Sequence, residues 1–162
     1  MAKQKTALQL AAGNAELTAA VQRSKQMLNR RALMSGAASA VPLPSLDWVV
    51  DAALLNQLIP KINAAFGLAE HQIAALDPTK RERIQQAIAF VGTLLIGKFI
   101  TKDLLVRAAK TIGVRLTAQQ AVKFVPLAGQ ALSALISYSA IRYLGEQHMR
   151  DCVRVLLHTK LA

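Results

Sequence analysis

The chain has 162 residues, 53% hydrophobic and only 4% aromatic, with 20 Lys and Arg against 9 Asp and Glu, a formal net charge of +11. That length fits one domain with a real core, and the apolar content excludes a largely disordered chain. The single cysteine, Cys152, excludes an internal disulfide and points to a reducing, cytoplasmic setting.

The start, MAKQKTALQLAAGNAEL, has no sustained apolar core of the secretory kind. Residues 1–13 are expected to be a flexible N-terminus, and residues 14–162 a single helical domain. Asn14 is a suitable N-cap, and Glu16 suits the positive end of a helix dipole. The first long helix should run to about Ala40, with Leu17, Val21, Met27 or Leu28, and Leu33 on its buried face. Arg23, Lys25, Arg30 and Arg31 supply its polar side. The stretch VPLPSLD then breaks the helix, because Pro42 and Pro44 each bias the preceding residue toward extended backbone. A second helix follows, with Trp48, Ala52, Leu55 and Ile59 on one stripe, a kink at Pro60 and a stop at Gly67. A short helix, AEHQIAAL, ends at Asp77-Pro78. The next begins near Thr79 with the charged turn KRER, where cations oppose the helix dipole. KDLLVRAAKTI and AQQAVKF read as a fifth and a sixth helix. The last begins near Pro126 or Leu127 and reaches about His158.

No alternating strand pattern occurs, so the fold class is all-α, a compact multi-helix bundle. Val41-Pro42-Leu43 and Val125-Pro126-Leu127 are the same tripeptide. Each follows a basic helix and opens an apolar one, a pattern open to two readings: two repeated halves of helix, proline elbow and helix, or a chance match of three residues in an Ala/Leu-rich chain. Pro42, Pro44, Pro126 and Gly129 are the elbow residues. A membrane span takes about 20 mostly apolar residues. The longest uncharged run, residues 124–141, is interrupted by Pro126, Gly129 and Gln130.

Catalytic patterns are sparse. His148 and Cys152 are four apart and share a helix face. Two such residues fall short of a zinc site, and no third group or oxyanion donor is evident for a thiol nucleophile. Asp47 and Asp51 read as favourable charge at a helix start rather than an acid–base pair. Gly92 to Lys98 imitates a phosphate loop, but Phe99 stands where Ser or Thr is needed and the residues between the glycines are helix-like. The expectation is therefore no enzyme activity, no cofactor and no metal. The field of a basic chain draws anionic lipid, nucleic acid or acidic protein faces. Lys98, Lys102, Arg107, Lys110, Arg115 and Lys123 form the candidate anionic-surface site. Few aromatics are available to stack on bases, so nucleic acid is the weaker partner.

RALMSGAASAVPLPSLDWVVDAALLNQLIPKINAAFGL and KFVPLAGQALSALISYSAIRYLGEQHMRDC together resemble the helical domain of immunity-related GTPases and its bacterial relatives. Those relatives include the YcjF-type inner-membrane proteins and a domain of unknown function found beside small GTPases. The likeness covers roughly residues 30–152. It rests on the elbow Val41-Pro42-Leu43-Pro44, Asp47, Asp51, the Phe66-Gly67-Leu68 segment, and Lys123, Val125, Pro126, Gly129 and Tyr143. Ser45 replaces the elbow's usual glycine, and neither a Walker loop nor a guanine-specificity motif is present. The resemblance implies peripheral membrane association or docking on a separate GTPase-like or effector protein. Two other expectations stay open: a membrane-inserting, pore-forming or toxin-type domain, and a basic nucleic-acid binder.

Overall fold

A computed structural model describes residues 4–38, 47–91, 107, 110 and 128–159. Among them every regular element is helical, and the helices pack on one another as an all-α bundle. The elements are α1 (Ala7–Leu10), α2 (Ala15–Ala38), α3 (Asp47–Ala65), α4 (Glu70–Ala74), α5 (Pro78–Val91) and α6 (Ala128–Thr159).

The centre is α6. Its 32 residues make a rod of about 48 Å at 1.5 Å per residue, and α1, α2, α3 and α5 all pack against it. Its buried positions include Ile141, Leu144, His148, Cys152 and Val155, spaced three or four apart as one helix face requires. Helix α2 runs antiparallel to α6. Leu28 lies against Gly145, and eleven residues earlier on α2, Leu17 shares a surface groove with Leu156. At Gly145 an added Cβ would come within 3 Å of the Leu28 side chain, so the missing side chain is what lets these two helices close up.

Local chemistry sets the helix ends. Asn14 Oδ1 accepts from the Leu17 amide at 2.9 Å, capping α2 as its position in the sequence suggests. Helix α3 continues for five residues past Pro60, which faces solvent. Two residues past its end is Gly67, whose φ of 71° is the left-handed conformation that glycine adopts without strain. There the Leu68 amide donates to the Asn63 carbonyl at 2.8 Å and the Gly67 amide to that of Ala64 at 3.2 Å, the paired bonds of a Schellman stop. Helix α5 begins with Pro78 in its first turn. Asp77 Oδ1 accepts from the Lys80 amide at 2.9 Å, and its carboxyl is held below the usual carboxylate range chiefly by that bond. The charge conflict expected from KRER is relieved in two ways. Asp77 pairs with Lys80 at 3.3 Å, and Arg81 turns back to donate to the Ala74 and Leu76 carbonyls, both at 3.1 Å.

Three expectations meet a different structure. Residues 4–13, placed in a flexible start, carry α1, and Ala7 and Ala11 are fully buried. The Ala7 amide donates to Glu146 Oε1 at 2.7 Å, and Arg150 donates to Gln4 Oε1 at 2.8 Å. Leu33, expected on the inner face of α2, is 64% exposed. The stripe advances through Leu17, Val21, Ser24, Leu28 and Ala32, so Ala32 takes the inward place. Gly129 sits in the first turn of α6, inside the helix, whereas Pro42, Pro44 and Pro126 lie outside the described residues, as do both tripeptides of the expected repeat.

Candidate functional site

The most polar place in the interior lies between α3 and α6. His148 and Cys152, one turn apart on α6, face Asn63, two residues before the end of α3. His148 Nε2 is 2.7 Å from Asn63 Oδ1, and Cys152 Sγ is 3.7 Å from that nitrogen and 3.9 Å from that oxygen. All three side chains are buried. The Schellman stop places Asn63, because its own carbonyl is held by Leu68 while its side chain reaches across to α6.

Thiol, imidazole and amide side by side invite comparison with a nucleophilic triad, and the hydrogen bonding decides against it. An amide oxygen can only accept, so Nε2 carries a hydrogen and donates it to Asn63. The nitrogen facing Sγ therefore cannot take the thiol proton, as a general base must. Burial pushes His148 down from 6.5 to about 4 and pushes the Cys152 thiol up, with the neighbouring Asp151 charge adding to the effect. Both groups are therefore neutral near pH 7, whereas a reactive cysteine is a thiolate with solvent access. His148 Nδ1 and, on α2, Ser24 Oγ are buried without a hydrogen-bond partner among the described residues. The groove of about 460 Å³ where α2, α3 and α6 meet is lined by Glu16, Leu17, Arg23, Phe66 and Leu156 among others, and none of the three cluster residues lines it. The cluster is a buried polar clasp between two helices. Among the described residues no group of three or more His, Cys, Asp or Glu is placed to hold a metal ion.

The anionic-surface residues fare unevenly. Arg107 and Lys110 are helical and exposed. Lys98, Lys102, Arg115 and Lys123 lie outside the described residues, as does the Gly92–Gly97 imitation of a phosphate loop. A second set of cations is fully visible on α2: Arg23, Lys25, Arg30 and Arg31 have no carboxylate partner among the described residues, whereas Lys80 and Arg154 pair with Asp77 and Asp151. Desolvation raises Asp151, with Arg154 and Arg150 opposing.

Sequence reading found the His148–Cys152 spacing and missed Asn63, 85 residues away. The available signal was a polar residue directly after Ile62, inside the apolar stripe of α3; Ser24 interrupts the α2 stripe in the same way. No helix among the described residues is long and apolar enough to cross a membrane. Compared with known proteins, the chain matches no family model, no curated protein and no solved structure.

Proposed function

We propose that this chain is a non-enzymatic helical module that associates peripherally with an anionic membrane surface or docks on a partner protein, including a separate GTPase-like one. The observation that carries the reading is the excess of cations: a net charge of +11 with α2 arginines and lysines left unpaired among the described residues. Each Lys or Arg near anionic lipid contributes on the order of 1 kcal/mol, so a handful acting together hold a small domain at a surface. The resemblance to GTPase-associated helical domains supports the same reading. The inward-facing, neutral thiol and imidazole support a binding role over a reactive one.

The test is co-sedimentation with vesicles containing phosphatidylglycerol at low salt. Binding is expected, weakening as salt rises and weakening further in the triple variant Lys98→Glu, Lys102→Glu, Lys110→Glu. A chain that stays in the supernatant at low salt would sink the membrane arm, leaving capture by an acidic partner protein as the remaining form of the proposal.

A further inference from the structure

The cations of this chain are not spread evenly. No Asp or Glu occurs from Leu17 to Leu46 or from Leu104 to Gly145. The antiparallel register, with Leu28 against Gly145, brings parts of these two stretches together. The part of α2 around Arg31 lies level with the part of α6 that carries Arg142, which is exposed and donates to the Tyr138 hydroxyl at 3.0 Å.

On α2 the exposed side chains include Arg23, Arg30, Leu33 and Met34. At 3.6 residues per turn these four fall within about 100° of one another around the axis, opposite the buried stripe. Leu33 is 64% and Met34 55% exposed, and Arg30 stands one turn before them. Apolar side chains beside unpaired guanidinium groups on one outward helix face are the arrangement that lies in a lipid interface, the apolar groups among the acyl chains and the cations at headgroup level.

We infer that the outward face of α2 formed by Arg23, Arg30, Leu33 and Met34 is a docking surface for an anionic lipid bilayer. This inference rests on the membrane arm of the proposed function and gives it a location. A bilayer fits the patch better than a folded protein does. Two aliphatic side chains and a few cations lack the area and the central aromatic anchor of a stable protein interface, whereas lipid binding needs only shallow burial and charge.

The full chain is tested against phosphatidylcholine vesicles with and without phosphatidylglycerol. The double variant Leu33→Glu, Met34→Glu should bind the anionic vesicles at least about tenfold more weakly than the parent. Leu33→Ser, Met34→Ser, which adds no charge, should show a smaller loss. Thermal melting should be unchanged in both, because both side chains face solvent. Phe90→Glu serves as the control. Phe90 is 75% exposed and lies beside His158, about 27 Å along α6 from the level of Leu33, and its replacement should leave binding unchanged. If the parent binds and the Leu33/Met34 variants bind equally well, this surface is wrong and the membrane reading stands. If the parent itself ignores anionic vesicles, the membrane reading falls and the surface with it. Equal binding to both kinds of vesicle would overturn the role given to the arginines. Binding only to an acidic polypeptide, with the same dependence on Leu33 and Met34, would replace lipid by protein.

Discussion

The clasp between α3 and α6 and the outward face of α2 hold opposite kinds of side chain, and water separates their uses. Inside, Asn63, His148 and Cys152 have the chemical types of a catalytic centre, yet desolvation keeps the imidazole and the thiol neutral and the amide occupies the imidazole proton. Outside, Arg23, Arg30, Leu33 and Met34 have no catalytic character, and all four are open to a partner. Exposure rather than residue type decides which group can act, and four perturbations test that division.

The largest effect should come from acid. The unfolded chain binds a proton at His148 near 6.5 and the folded chain near 4, so the stability present above pH 6.5 is lost as pH falls toward 4. The loss should be on the order of 3 kcal/mol, read from urea melts across that range. In His148→Gln this part of the pH dependence should disappear; an unchanged pH profile in that variant would show that the clasp does not titrate as its burial requires. Next is Gly145→Ala. It improves helix propensity by up to about 1 kcal/mol but drives a methyl group into Leu28, and overpacking of this kind costs about 1–3 kcal/mol. A net loss is expected, partly restored when Leu28→Ala is added; strict additivity of the two changes in a double-mutant cycle would refute the contact. Third, Glu146→Ala removes the acceptor of the Ala7 amide and should cost about 1–2 kcal/mol, with faster proteolysis within residues 4–13. The smallest effect belongs to the outer face, where Arg23→Ala and Arg30→Ala should each change stability by less than about 0.5 kcal/mol. A larger change would mean that these arginines serve the fold and would blur the contrast.

Much of the fold was legible because it depends on neighbours in sequence. Asn14, Gly67 and Asp77 act within four residues of themselves, and each sits at a helix boundary as expected. The end of α6 falls at Thr159, one residue beyond the expected His158. What was not legible depends on pairs distant in the chain. Asn63 meets His148 across 85 residues, and Gln4 and Ala7 meet Arg150 and Glu146 across 146 and 139. No spacing rule reaches so far. Leu33 misled for a different reason. Ala32 continues the buried stripe one turn after Leu28, and Leu33, one residue further round the helix, is carried toward solvent.

Cys152 also gives the molecule an internal clock. It is the one sulfhydryl in the chain and is entirely shielded from solvent, so an aromatic disulfide reagent reaches it only while α6 is parted from its neighbours. The rate at which colour develops then counts those openings in the unmodified protein, with no dye attached. Lipid that grips the outer surface without prising the helices apart would leave that rate alone, whereas any lipid that draws them into its own interior would speed it.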